Sequence, residues 1–495
     1  MVVMLLYAVF TLFLVFHHEI WADEAQVWLI VKNLSLPELF SHLVNEGHPS
    51  FFYLLLMPFA KLGFPVLSMQ IICWMSACGA VFLLLRYSPF STFLKTAIIL
   101  SSGFLYFFPV IARSYSILPL LVFGAAALYK KLQKNPQKYA VPYALVLALC
   151  ANTHVIMFGF VFVLFLYFVY DKFIKEKNFS KQNSTAVLIL SVGLLAVVLQ
   201  LFGTFSSNAS IRFETNNVFG EAVKTFSLFF LNSVALVYKS VFEPMKVTFF
   251  AAFGAIVMFL IFILLQVQLW LVNRKSALLC FLALGFQFFI YIFSYKAMLY
   301  QTRIFSAYII VIFCFWTALE NGGFKQNAVF SGKKAMNILP GIFFLLTFFC
   351  GAHAAVLDVM FNYSAAKETA VFLEKNTPEN AVIIPNIDAF GLAVYANAPD
   401  RTFYSLFRDR KIKYMVWYNP PLYADEAFSQ MVEDKIEEKK FEKTYVLVSS
   451  LLDFQHLEKT LPSKYRLVFK SGPSIVTGES FRVYEFTGKS VSGAR

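Results

Sequence analysis

Apolar runs close to the ~20 residues that a helix needs to cross hydrocarbon recur along this chain, separated by short polar connectors. After an apolar opening at Met1–Phe16 they fall at 66–85, 93–111, 114–129, 139–153, 155–170, 184–203, 247–271, 276–294, 301–319 and 335–352. This pattern predicts eleven crossings and an α-helical polytopic membrane protein; the two-residue alternation of a β-barrel is absent. As a helix Met1–Phe16 reaches only about 24 Å, so it needs Ile20 and Trp21 to cross. It has neither a basic leader nor a small-residue cleavage site, and a retained span is expected rather than a signal peptide.

Three stretches depart from the pattern. The loop 17–65 is polar, with five acidic residues and four of the seven histidines gathered between His17 and Tyr53. Within it Ser35-Leu36-Pro37-Glu38 has capping-box spacing, which assigns Glu38 to a helix start. Leu36, Leu39, Phe40, Leu43 and Val44 then form one apolar stripe, and Gly47 and Pro49 end the helix. Residues 204–246 are amphipathic and are expected along the membrane interface. Beyond Ala352 the composition turns polar: helices at 364–375 and 424–443 alternate with strands at 381–386, 413–418, 444–450, 465–470 and 481–486. That order predicts a small α/β domain over 353–495, appended to a transmembrane domain over 1–352.

Composition sharpens this picture. The 495 residues are 59% hydrophobic, with 60 Phe and a mean hydropathy of +0.66, and only 14% are charged. Soluble domains carry about 25% charged residues. The net charge of +13 is not a nucleic-acid footprint, because residues 353–495 are balanced and the excess sits in the membrane half. It concentrates at Lys130, Lys131, Lys134 and Lys138 and again at Lys172, Lys175, Lys177 and Lys181, as the positive-inside rule expects of cytoplasmic loops. The loop 17–65 and residues 353–495 are then both extracytoplasmic. All six cysteines lie in apolar runs, without disulfide or zinc spacing.

Charge beside a bilayer is costly unless it pairs or does chemistry, which makes the first loop the candidate site. Asp23 and Glu24 are about 100° apart on a helix, so one of them faces a given substrate group; both also suit a helix N-terminus. Glu46-Gly47-His48-Pro49 supplies a second acidic group, and two loop helices could fold Asp23 and Glu46 together. Asp23, Glu46 and His48 could hold a divalent cation such as Mg²⁺ or Mn²⁺, or tune one carboxylate as a base.

An Asp-Glu pair just after the first span, followed by acidic-x-His-Pro, resembles the GT-C glycosyltransferases. The pattern is nearest to bacterial lipid A or polysaccharide glycosyltransferases, aminoarabinose transferases and protein O-mannosyltransferases. Ile111-Ala112-Arg113-Ser114-Tyr115-Ser116 is similar to that family's Ala-Arg-x-Tyr-Ser segment, and Asn152-Thr153-His154 to its Thr-His pair. The chain departs from the family in having Pro49-Ser50 where Pro-Pro is common, and Glu46 where Asp is frequent. The resemblance covers about residues 1–320 as architecture and leaves the C-terminal domain uncovered.

The resemblance implies an inverting transferase that uses a polyprenyl-phosphate sugar donor at the outer face of the cell membrane. Asp23 would be the catalytic carboxylate and Glu46 the second catalytic position, aligned with the acidic residue before His-Pro. Arg113, with His154, Lys296 or Arg303, would stabilise the departing phosphate. Glu24, His48 and Tyr115 complete the expected substrate-binding residues. The same Arg and Lys side chains also suit snorkelling positions at span ends. The acceptor would be a lipid, glycan or protein hydroxyl; membrane lipids are the other partners, and nucleic acid is not one. A lipid or polysaccharide transporter would place charges at midplane in broken helices with internal repeats, which this sequence lacks. A polysaccharide polymerase or ligase is the nearer alternative, and would depend on later Arg and His residues rather than on Asp23.

Overall fold

The computed structural model describes residues 2–202, 217–236, 249–293, 301–321, 330, 332–416, 425–451 and 464–488. It opens with α1 (Val2–His17) and the first-loop helices α2 (Ala22–Asn33), α3 (Leu36–Glu46) and α4 (Phe51–Lys61). Next come α5 (Leu67–Tyr87), α6 (Thr92–Leu100) and a π-helical turn, Gly103–Phe107, continued by α7 (Phe108–Val110). A 3-10 turn at Ser114–Ile117 leads into α8 (Leu118–Lys134), followed by α9 (Pro136–Ala151), α10 (Phe158–Val169) and α11 (Lys181–Leu201). Then follow α12 (Val218–Val234), α13 (Phe249–Val272), α14 (Arg274–Phe293), α15 (Gln301–Asn321), α16 (Ala335–Leu346) and α17 (Phe348–Met360).

Among the described residues eight segments are long and apolar enough to cross a bilayer, or ten if each of two bent helix pairs counts as one crossing. The bent pairs are α1 with α2, at 88°, and α6 with the turn ending in α7, at 57°. The eleventh expected run, 139–153, becomes α9, which at 16 residues is shorter than these segments but leads from the basic end of α8 back to His154, beside Tyr115. A hydropathy pattern cannot see the 57° break, which lies at Ser101–Gly103. There Thr347 accepts from the Ser102 amide at 3.1 Å, and a Cβ on Gly351 of α17 would lie 2.6 Å from the Ser102 backbone. The described part of the amphipathic stretch forms α12, which packs against α13 and α14.

Helix α15 is the centre of the bundle. Every residue from Ile304 to Leu319 is buried, as expected of a helix that is apolar on all sides. Its first turn carries Arg303.

The C-terminal domain comprises α18 (Ala366–Asn376), β1 (Val382–Pro385), α19 (Asp388–Asn397), β2 (Thr402–Ser405) and β3 (Arg410–Lys411), then α20 (Asp425–Lys439), β4 (Thr444–Ser449), β5 (Tyr465–Lys470) and β6 (Phe481–Phe486). Its mixed sheet has the order β3-β2-β1-β4-β6-β5, with β1 parallel to both β2 and β4 and the remaining pairs antiparallel. The strand expected at 413–418 does not form over its described residues, 413–416, whose backbone turns instead toward α2; α19 and β2 were not predicted.

Helix α2 joins the two halves. Ile20, Ala25 and Leu29 pack into the C-terminal core with Ala366, Ala370 and Leu392. Val27, Trp28, Ile30 and Val31 pack against Leu39, Leu43, Phe52 and Met69 of the membrane half. Each such buried side chain contributes about 1.5–3 kcal/mol. The Gln26 amide adds a two-way clamp, donating to the Met415 carbonyl at 2.6 Å and accepting from its amide at 2.9 Å. The first loop and the C-terminal domain thus share one side of the helical bundle.

Candidate functional site

The site begins where the chain leaves α1 and turns into α2. The buried His18 ring bridges Glu24, at 3.1 Å, and Asp358 of α17, at 2.9 Å. The Tyr106 hydroxyl donates to the same Asp358 oxygen at 2.7 Å. Burial alone would lower the His18 pKa, but the Asp358 and Glu24 carboxylates raise it to about 10, so the ring is an imidazolium. His18 is the buried joint between α17 and the start of α2.

Glu24 has no freedom left for a ligand. Beyond His18 it accepts from the Trp21 amide at 3.3 Å and from the Ala112 amide. The structure therefore turns this expected substrate-binding residue away from the cavity, into the framework. Its neighbour Asp23, rotated about 100° around the helix, pairs with Nη1 of Arg113. Two adjacent carboxylates thus grip two adjacent residues: Glu24 holds the Ala112 backbone, and Asp23 meets the Arg113 guanidinium.

The Asp23–Arg113 pair lies in a cavity of about 430 Å³ between the membrane helices and the C-terminal domain. Tyr115 and Arg303 line it as well, and Arg303 Nε donates to the Tyr115 hydroxyl at 3.1 Å. Behind Tyr115 stand His154, at 4.3 Å between ring centroids, and His48, at 4.5 Å from His154. Burial lowers the pKa of both histidines, His48 to about 3, and the guanidiniums of Arg113 and Arg303 add to the effect, so both rings are neutral. His154 Nδ1 accepts from the Ile156 amide at 3.2 Å, while His154 Nε2 and His48 Nδ1 are buried without a hydrogen-bond partner among the described residues. Asp23, Arg113, Tyr115 and Arg303 are brought together, with His48 and His154 behind them. Lys296 lies outside the described residues.

Glu46 is placed elsewhere. It accepts from Gln26 at 2.9 Å, His42 at 3.1 Å and the Tyr53 hydroxyl at 3.4 Å, one turn along α2 from Asp23. The two loop helices do pack together, but the expected meeting of Asp23 with Glu46 does not occur. Glu38 closes the capping box with Ser35, accepting from its amide at 2.7 Å, and Gly47 takes the left-handed cap at φ 67°.

This arrangement does not fit a cation held by Asp23, Glu46 and His48. Asp23 already faces a guanidinium, Glu46 is occupied by three donors, and the His48 ring lies tilted against a second histidine. Among the described residues no group of three or more His, Cys, Asp or Glu side chains is placed to hold a metal ion.

Sequence reasoning missed the acidic cavity residue Glu479, from the loop between β5 and β6. It is fully buried, and its Oε1 accepts from the Ala22 amide at 2.9 Å. Burial, aided by the nearby Asp23 and Glu24 carboxylates, pushes its pKa up to about 8, so it is protonated at neutral pH. The signal available in the sequence was slight: one acidic residue in the Gly- and Ser-rich stretch SGPSIVTGES.

No protein-family model matches this sequence, and neither does any curated protein. Among solved structures, the chain is similar to the crystal structure of ArnT from Cupriavidus metallidurans in the apo state. The identity is 9%, 99% of each chain is covered and the TM-score is 0.41.

Proposed function

We propose that this chain is an integral-membrane glycosyltransferase of the GT-C kind, transferring a sugar from a polyprenyl-phosphate donor to a hydroxyl acceptor with inversion. The observation that carries this reading is the Asp23–Arg113 pair in a cavity that also contains Arg303. With Glu479 protonated, these side chains leave one net positive charge, which suits the single negative charge of a lipid-phosphate-sugar diester. An apolar groove of about 750 Å³ between α4, α5 and α8 reaches Ile117, in the same 3-10 turn as Tyr115, and suits the lipid tail. The basic residues Lys130, Lys131 and Lys134 lie at the far end of α8 from Tyr115. By the positive-inside rule this supports an extracytoplasmic cavity.

In this mechanism the acceptor oxygen attacks the anomeric carbon while Asp23 takes its proton. The bond from that carbon to the phosphate oxygen breaks, and its electron pair leaves with the lipid phosphate, which gains one negative charge. Asp23 loses one negative charge in the same step. The Arg113 guanidinium can therefore pass from carboxylate to phosphate without a change in the net charge of the site. Arg303 supports the phosphate, with Lys296 as a further candidate. His48 and His154 back Tyr115 as neutral rings. Glu46 acts as a positioning residue, through Gln26 and Tyr53, and no step is routed through a metal. The test is release of polyprenyl phosphate from sugar-labelled polyprenyl-phosphate hexoses and pentoses by the purified protein, read by mass spectrometry. Release from at least one donor is expected, and none across the panel would overturn the reading.

A further inference from the structure

The loop from Ser471 to Ser480 is built to hold one side chain against the membrane half. Its Ile475 and Val476 amides donate to the Asn362 and Tyr363 carbonyls at 2.9 and 3.0 Å, stitching it to the segment that leaves α17. Ser480 Oγ accepts from the Ser474 amide at 2.9 Å, and the Glu479 carbonyl accepts from the Ala365 amide at 2.9 Å. Gly478 has φ +94°, and a Cβ there would lie 2.7 Å from the Phe390 ring, so the turn before Glu479 requires glycine. The framework delivers the Glu479 carboxyl to the first turn of α2, one residue from Asp23.

The Ser364 hydroxyl lies beside that carboxyl, whose two oxygens are used unequally. Oε1 satisfies the Ala22 amide, one of the donors that a helix start leaves open. Oε2 is buried with no hydrogen-bond partner among the described residues, in a residue that lines the cavity. An unsatisfied buried polar atom costs about 1–3 kcal/mol. A capping role alone would not call for it, since one oxygen serves the cap.

We propose that Glu479 contacts the ligand, donating a hydrogen bond from Oε2–H to an oxygen of the sugar held between Asp23 and the C-terminal domain. This rests on the glycosyltransferase reading above, and it makes the C-terminal domain part of the sugar site rather than an appendage. The assignment of the proton follows from the geometry: Oε1 accepts from an N–H, which leaves Oε2 as the hydroxyl. The raised pKa agrees, because burial keeps the group uncharged beside Asp23. A neutral donor grips a sugar oxygen without adding repulsion toward the lipid phosphate.

The experiment measures binding of two probes, bare polyprenyl phosphate and the same lipid phosphate carrying a hexose, to the full-length protein in detergent. Glu479→Ala should weaken the hexose-bearing lipid about tenfold, as expected for one lost hydrogen bond, and leave the bare lipid phosphate nearly unchanged. Glu479→Gln keeps an acceptor for Ala22 and offers an N–H in place of the O–H, so it should recover most of the difference. Equal binding of both probes by wild type and Glu479→Ala would overturn the inference while leaving the transferase reading intact. Parallel loss of both probes in Glu479→Ala, unrelieved in Glu479→Gln, would also overturn it, since that marks a structural role. A wild type that binds neither probe would overturn the transferase reading and this inference with it.

Discussion

Helix α8 has a polar pocket at each end, and the two are built differently. The pocket at its basic end, about 330 Å³, is lined by Tyr129, Gln133, Asp171, Lys172, Lys275 and their neighbours. Its charges are paired: Lys172 meets Glu176 at 2.7 Å, four residues on, and Lys275 meets Asp171, 104 residues away. None of its lining residues has a buried side-chain polar atom without a partner. The pocket beside Tyr115 draws Asp23, Arg113, Arg303 and Glu479 from four distant parts of the chain, and leaves Glu479 Oε2 without a partner. Charge and volume alone therefore do not distinguish a site from a solvated edge. What sets the outer pocket apart is the unspent hydrogen-bonding capacity of Glu479 Oε2.

The largest expected effect separates neighbours within the outer site. Asp23→Asn should cost about 10²–10⁴-fold in transfer, the usual worth of a general base, with little change in thermal stability. Glu24→Gln should show the opposite balance. It can still accept from Ala112, but it removes a charge from the His18 imidazolium, for about 1.5–3 kcal/mol of stability. Transfer assays and thermal melts of both variants check this. Abolished transfer at unchanged stability in Glu24→Gln, with Asp23→Asn active, would reverse the roles.

A smaller effect is expected at Arg113. Arg113→Ala should weaken donor use by about 1.5–3 kcal/mol, the range for a hydrogen bond to a charged group. Arg113→Lys should recover part of this, because an ammonium cannot fork between Asp23 and a phosphate. Steady-state kinetics with the lipid-linked donor would decide, and unaltered donor use in Arg113→Ala would reduce this residue to a snorkelling side chain.

The smallest effect belongs to the basic pocket. Lys275 and Asp171 are both partly exposed, and such pairs are worth about 0.2–1 kcal/mol. Lys275→Ala should shift the melting temperature slightly and leave transfer unchanged. Lost transfer in that variant would break the distinction between the two ends of α8.

The sequence by itself determined what local interactions control. The apolar runs set most of the long helices, the Ser35–Glu38 spacing and Gly47 bounded α3, and strand and helix periods announced the C-terminal domain. Such features depend on residues within one or two turns of each other. Asp23 was legible as a candidate because charge beside apolar spans is rare, and Arg113 and Tyr115 through the resemblance of their segment to Ala-Arg-x-Tyr-Ser. Only the tertiary structure decided what each polar group was for. Glu24 became framework through Ala112, 88 residues away; His18 became a joint through Asp358, 340 residues away; and Glu479 entered the cavity by reaching Ala22, 457 residues away. Glu46 went to Gln26 rather than to Asp23, and the break before α7 followed from the close approach of α17. A buried carboxylate takes the partners that packing provides, and those partners were fixed by how α2 is held between two cores.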